Sequence, residues 1–368
     1  MSALSSPVVF GSSVSSIGVG FGTAGLGGNT IAAVTAALQE GFRNFDTAEA
    51  SWWYDQAAVG YALKQFFSAT SGETCVDHQE DALRLDQCST TIDCGKHSIR
   101  VSTKIPPWEL LSSTHIRQRA ADSRKELLGF CDPISLSDQG IIANPFTEMS
   151  SYGDVQDESS QVMIPYPLDV YYIHAPKCWD GWHPNCDGVT PDDTLDLREA
   201  WLAMEAVVGL DHSAARIGLS NVNAEELEDI IEFVHERLQS GQQEQYPPPR
   251  MPDAVQIYAD PLDSAVELRQ LCSHHGIEFV SYSTLGTQHM RYENSKNPVL
   301  QSKVIQRIAA HHGRSTAEVV LSWAIQNGMS VIPRSGNADH INELAKLIHS
   351  PPFLTIEEVA SIDAMNRR

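Results

Sequence analysis

Two hydrophobic periods exchange places along the chain. Short runs dense in β-branched, aromatic and aliphatic residues stand at Ile17 to Gly20, Phe42 to Asp46, Ile99 to Thr103, Asp169 to Ile173, Arg216 to Ser220, Ala254 to Ile257, Glu278 to Tyr282 and Val331 to Pro333, and each reads as a strand. Between them lie IAAVTAALQE, AAVGYALKQFF, TLDLREAWLAMEAVV, EELEDIIEFVHERL and AVELRQLCSHHG, whose apolar residues recur at helical spacing. Gly41 and Gly276 close two of these helices as C-caps leading into a strand. About eight strands alternating with helices is what a closed parallel sheet requires, so an α/β chain folded as a (β/α)8 TIM barrel is expected. An open doubly wound sheet would give a similar alternation. Gly18, Gly20 and Gly22, however, lie too early relative to a helix beginning near Thr30 to form a dinucleotide-binding fingerprint.

Two stretches break the rhythm, at about 68–97 and 131–167. Both are polar, the first carrying three cysteines and the second rich in Ser, Pro, Asp and Gly, and both are expected as loops inserted between a helix and the next strand. The 368 residues are then one domain, since barrels of this general size are common single units.

Charge narrows the partners. With 47 Asp and Glu against 25 Lys and Arg, a net charge of −22 repels phosphate backbones and anionic membranes over most of the surface, which argues against nucleic-acid and membrane partners. A phosphorylated ligand would need a local cation standing against that field. The N-terminus, MSALSSPVVFGSSVSS, has neither a basic start nor a continuous apolar stretch, and the cytoplasm is the expected location. Seven cysteines, an odd number spread from Cys75 to Cys272, give neither a disulfide framework nor paired zinc spacing, so free thiols are expected. The run CWDGWHPNC, Cys178 to Cys186, holds two Cys and one His, too few and wrongly spaced for a tetrahedral metal site.

In a barrel of this kind, functional side chains gather at the C-terminal ends of the strands. Asp46 closes the second predicted strand, Lys104 follows the third, His174 follows the fourth, and Tyr54 lies in the loop just past the second. All four open onto one barrel mouth. A tyrosine hydroxyl has an unperturbed pKa of about 10, so as a proton donor near neutral pH it needs a cation beside its phenolate. Lys104 supplies that charge, Asp46 keeps the lysine charged and oriented, and His174 hydrogen-bonds a substrate oxygen or the tyrosine. Singly, each residue type has an ordinary structural use; their shared placement gives them chemical meaning.

The sequence resembles the aldo-keto reductase superfamily over nearly its whole length. The resemblance is carried by GFRNFDTAEASWWYDQAAVGYAL, RVSTKIPP, LDVYYIHAP, RIGLSNVNAEEL, PDAVQIY, SYSTLG, AEVVLSWAIQNGMSVIPRS and HINEL, in that order. It implies reduction of an aldehyde or ketone to an alcohol by hydride transfer, with Asp46, Tyr54, Lys104 and His174 as the catalytic tetrad. Its implied cofactor is NADPH, with NADH as second candidate, and its implied partner is a small-molecule carbonyl substrate; the sequence does not set the oligomeric state, for which a monomer is the expectation. Ser220, Asn221 and Gln256 would hold the nicotinamide carboxamide and Tyr282 would stack on the ring, with Gly22, Thr23 and Asp46 nearby. Ser283 and Leu285 would lie along the pyrophosphate, Arg334, Ser335 and His340 near the 2′-phosphate, and Glu343 at the adenine.

Departures from the family pattern shift attention to the substrate side. Counting back from Val59 and Gly60 puts Trp53 where the tyrosine usually falls; Tyr54 suits the longer spacing of some branches and is the expected proton donor. Positions where the family often has Trp are Ala24 and Ala175, His340 replaces a usual arginine, and Leu344 replaces an asparagine. The chain stops soon after TIEEVASIDAMNRR, whereas many members close the pocket with a long C-terminal tail. Trp53, Trp179 and Trp182 are therefore expected to wall the substrate, with Asp180 and His183 as polar contacts. Two alternatives stand beside the reductase: a cofactor-binding regulatory subunit with little turnover, and a Schiff-base enzyme using Lys104 as nucleophile.

Overall fold

The computed structural model describes residues 18–70, 93–135, 163–179, 181–240, 247–290 and 296–367. Its strands are β1 (Phe21–Gly22), β2 (Asn44–Asp46), β3 (Arg100–Ile105), β4 (Ile134–Ser135), β5 (Met163–Ile164), β6 (Leu168–Ile173), β7 (Ala214–Ser220), β8 (Ala254–Tyr258), β9 (Glu278–Tyr282) and β10 (Ser330–Val331). Eight of them form one parallel sheet in chain order, from β1 through β2, β3, β6, β7, β8 and β9 to β10. The sheet closes on itself through a parallel bridge from Val19 to Val331, with Gly20 N donating to Val331 O at 2.8 Å and Gly22 N to Pro333 O at 3.0 Å. Closure leaves no strand edge to pair elsewhere. The fold is a (β/α)8 barrel.

Around it run α1 (Thr30–Gln39), α2 (Gln56–Thr70), α3 (Ser113–Leu128), α4 (Leu197–Gly209), α5 (Ala224–Gln239), α6 (Val266–His275), α7 (Lys303–His312), α8 (Thr316–Gln326), α9 (Ala338–Ala345) and α10 (Ile356–Asp363). Sequence chemistry sets their ends. Asp196, Asn223, Ser315 and Thr355 each accept the N–H of a glutamate three residues on, whose carboxylate turns back to the cap N–H; such a cap contributes about 1 kcal/mol. At the other end, Gly276 and Gly313 adopt left-handed backbone at φ 68° and 60°, where a Cβ would be strained. All six residues of β6 are buried, the continuous burial expected of a parallel strand covered by helices. Inside the barrel, a Cβ on Gly218 would fall 2.5 Å from Ala254 O and 2.6 Å from the Tyr172 ring, so glycine is what lets that ring cross the lumen.

Several expectations change in detail. The first strand lies at Phe21–Gly22, later than Ile17 to Gly20, although Val19 makes the closing bridge. Lys104 stands inside β3, which runs to Ile105. The stretch at 131–167 carries β4 and β5, paired antiparallel, in place of a loop throughout.

Free thiols are the larger correction. Cys94 is bonded to Cys131 and Cys178 to Cys186, leaving buried Cys272 as the free cysteine among the described residues, its thiol pushed up to about 12 by burial. Cys75 and Cys88 lie outside them. Spacing gave no signal for the first bond because its partners are 37 residues apart and meet only when α3 packs beside β3.

Candidate active site

Register places the polar groups at one end of the barrel. Asp46 pairs across with Ser102, and Lys104 with Tyr172, while His174 leaves β6 with its N–H on Ile105 O at 2.9 Å. Lys104 is almost wholly buried. Its Nζ donates to Asp46 Oδ1 and Oδ2 at 2.8 and 2.7 Å and to Thr47 O at 2.7 Å. Burial lowers the ammonium pKa and the Asp46 carboxylate opposes that shift.

The turn after β2 carries Tyr54 over this pair. Its N–H donates to Ala50 O at 3.1 Å, its ring centroid lies 5.4 Å from Lys104 Nζ, and its edge meets His174 at 5.9 Å. His174 is buried, and burial together with the Lys104 charge holds its imidazole well below the usual histidine range, so the ring is neutral at neutral pH. Its Nδ1 has no hydrogen-bond partner among the described residues.

A second layer ties these groups to the neighbouring strands. Gln256 Nε2 donates to Asp46 Oδ1 at 2.7 Å, Ser220 Oγ to Gln256 O at 2.8 Å, and Asn221 Nδ2 to His174 O at 2.8 Å. Tyr282 closes the chain of contacts by donating to Asn221 Oδ1 at 2.6 Å. Asn221 and Ser283 both sit at positive φ, 56° and 51°, a region in which asparagine is several-fold enriched and serine is uncommon.

These residues border a cleft of about 1350 Å³. Gly22, Asp46, Tyr54, His174, Ser220, Asn221 and Gln256 line one part; Tyr282, Ser283, Leu285, Arg334 and Ser335 line the rest. A Cβ on Gly22 would stand 2.7 Å from Ile332 O, so the floor there is bare backbone. Arg334 lies beside Gly25 and takes part in no ion pair among the described residues. A cleft of this volume with polar side chains and an uncompensated guanidinium fits a phosphorylated dinucleotide in size and donor chemistry.

Three residues implied for the cofactor stand outside the cleft lining. Thr23 is buried with its hydroxyl on Asp46 O at 2.9 Å, His340 is exposed in the first turn of α9, and Glu343 accepts the Ser315 hydroxyl. Asp180 lies outside the described residues.

The aromatic side is denser than the sequence indicated. Trp53, Trp179 and Trp182 line the cleft; Trp182 stacks on Trp179 at 4.4 Å and meets Trp53 at 6.0 Å and His174 at 5.5 Å. Sequence reading missed Trp108, 5.6 Å from Trp182 in the short turn Pro107–Glu109, although its place just past β3 was available as a signal. It missed Tyr258 and His289 too. Both line the cleft, and both reach Asp260 Oδ2, at 2.5 and 2.9 Å. Lys296 and Arg367 add two cations to the rim. The cysteines of CWDGWHPNC bond each other and offer no metal ligand.

The sequence profile of the Aldo/keto reductase family matches residues 156–367. Among curated proteins, aldo-keto reductase family 1 member A1 of Bos taurus is 29% identical over 205 residues, covering 54% of this chain and 58% of that protein. The Xenopus tropicalis protein of the same name is 30% identical over the same shares. The chain thus spans little more than half the length of the curated relatives it matches. Among solved structures, a Bombyx mori aldo-keto reductase in complex with NADP superposes at TM-score 0.63 with 21% identity, over 95% of this chain and 89% of that one. The aldose reductase of Schistosoma japonicum gives 0.62 with 20% identity over the same shares.

Proposed function

The chain belongs to the aldo/keto reductase family, and from that premise we propose that it reduces an aldehyde or ketone to the alcohol at the expense of NADPH, with Tyr54 as proton donor. The observation that carries this reading is the convergence of Tyr54, His174 and the buried Lys104–Asp46 pair on one cleft. The reading takes residues 1–368 as one catalytic barrel decorated by two insertions.

The Bombyx mori neighbour was solved with NADP, and the cleft here suits the same class of cofactor. Ser220, Asn221, Gln256 and Tyr282 would hold the nicotinamide end, Ser283 and Leu285 the pyrophosphate, and Arg334 with Ser335 the 2′-phosphate. When bound, the nicotinamide supplies the hydride for the carbonyl carbon.

The remaining work falls to the protein. As charge develops on the carbonyl oxygen, the Tyr54 hydroxyl transfers its proton to that oxygen, and the nearby Lys104 ammonium stabilises the phenolate left behind. Asp46 and Thr47 keep that ammonium fixed, so little reorganisation is needed when charge appears. Neutral His174 offers an N–H to the same oxygen without competing for the proton. A purely regulatory subunit would leave the buried pair beside Tyr54 without a use.

The purified chain, given NADPH or NADH and a panel of aldehydes, ketones, quinones and sugars, should oxidise the cofactor and form alcohol in equal amounts, faster with NADPH. Cofactor binding with no carbonyl-dependent oxidation would overturn the proposal.

A further inference from the structure

The loop after His174 is closed into a ring by the Cys178–Cys186 disulfide and carries Trp179, Trp182 and His183. His183 is 6% exposed and sits among three indoles. It stacks on Trp108 at 4.3 Å with 19° between planes, and meets Trp53 at 5.4 Å and Trp52 at 5.8 Å at steep angles. Its Nδ1 accepts the Asn185 N–H at 3.0 Å, which places the ring proton on Nε2. That Nε2 is buried and has no hydrogen-bond partner among the described residues, so its surroundings are indole rings. Burial also lowers the imidazole pKa and keeps the ring neutral.

We infer that His183 is a specificity-determining positioning residue: it wedges Trp53 and Trp108 apart and thereby fixes Trp182 as the wall against which a bulky carbonyl substrate rests. The inference rests on the reductase reading of the cleft. Trp108 and Trp53 both touch Trp182, at 5.6 and 6.0 Å, and Trp182 in turn touches His174. Removing the imidazole would open a ring-sized gap between the two indoles, which interiors close only partly. The wall would then shift where a large substrate needs it. A small carbonyl, held by Tyr54 and His174 alone, would notice little. Trp53 also precedes Tyr54 in the same turn, so a larger collapse would reach the proton donor and show in kcat.

The test compares wild type with His183→Ala, His183→Phe and Trp182→Ala, using 2-naphthaldehyde as the bulky carbonyl and propanal as the small one. KM and kcat are measured for each, with calorimetric affinity for 2-naphthaldehyde and NADPH and the melting temperature of each variant. His183→Ala should raise KM and Kd for 2-naphthaldehyde about tenfold, leaving propanal turnover and NADPH affinity within about twofold. His183→Phe keeps a flat ring in the slot and should recover most of that loss. A uniform loss on both substrates with a lower melting temperature overturns the inference, as does a selective loss that phenylalanine fails to repair. If Trp182→Ala is selective while His183→Ala is silent, the inference alone falls. If Trp182→Ala is silent, the wall and the inference fall together. Should the wild type turn over no carbonyl, the reductase reading fails, and the naphthaldehyde affinities still decide whether His183 holds the wall.

Discussion

Lys104 is the residue on which the proposed chemistry turns, because a buried ammonium survives only where its charge is answered. Asp46 and Thr47 together accept three hydrogen bonds from it; removing one partner of such a pair costs about 3–5 kcal/mol. His174 is the opposite case, a buried ring kept uncharged. Its folded pKa is depressed below the ordinary value near 6.5, so at acid pH the unfolded chain binds a proton that the folded chain refuses. The stability it contributes is present above about pH 6.5 and is lost as pH falls toward the folded pKa. As pH falls from about 7.5 to 5, wild type should therefore lose more stability than His174→Gln, read from urea midpoints. Parallel loss in both proteins would contradict a neutral buried His174. Arg334 is proposed to answer a different charge, that of the cofactor's 2′-phosphate. Arg334→Ala should raise Kd for NADPH about 10- to 100-fold and leave NADH nearly unchanged, and an equal loss for both would remove it from the 2′-phosphate. The four acid–base candidates were legible in the sequence because strand ends can be counted. Trp108, in the turn after β3, and Tyr258, at the end of β8, carried the same signal and went unread, whereas His289 reaches Asp260 from a turn past β9 and carried none.

Elements were legible where the period was long and obscure where it was short. Helices α1, α2, α4, α5 and α6 follow the apolar pattern closely, whereas the largely polar α3 was not read, and the N-caps of α4 and α5 stand in the sequence as acid or amide residues three before a glutamate. By contrast, β1 and β10 have two residues each, too few for any period, and were located by their bonds to each other's flanks. The Cys94–Cys131 bond joins the end of the first insertion to the start of the second, across 37 residues. For a loop of that size, the chain-entropy estimate of its contribution is roughly 4 kcal/mol. The double replacement Cys94→Ser, Cys131→Ser should lower the unfolding free energy by an amount of that order, and a loss below about 1 kcal/mol would mean the bond constrains little.

The molecule as a whole is an acidic barrel with three cations on its cleft. At a net charge of −22 its long-range field disfavours an anionic cofactor, while Lys296, Arg334 and Arg367 border the cleft and oppose that field there. The family match begins at residue 156, so Asp46, Tyr54 and Lys104 lie before it, and the barrel is what brings them to His174. A chain assembled this way is a carbonyl reductase only if the Tyr54 hydroxyl does the protonation. The most direct measurement is the comparison of wild type with Tyr54→Phe at saturating NADPH and carbonyl, paired with the Kd for NADPH. In the proposed mechanism the hydroxyl acts in the transition state, so kcat should fall by at least about 100-fold with Kd within about twofold of wild type. Turnover near that of wild type in the phenylalanine variant would contradict the account.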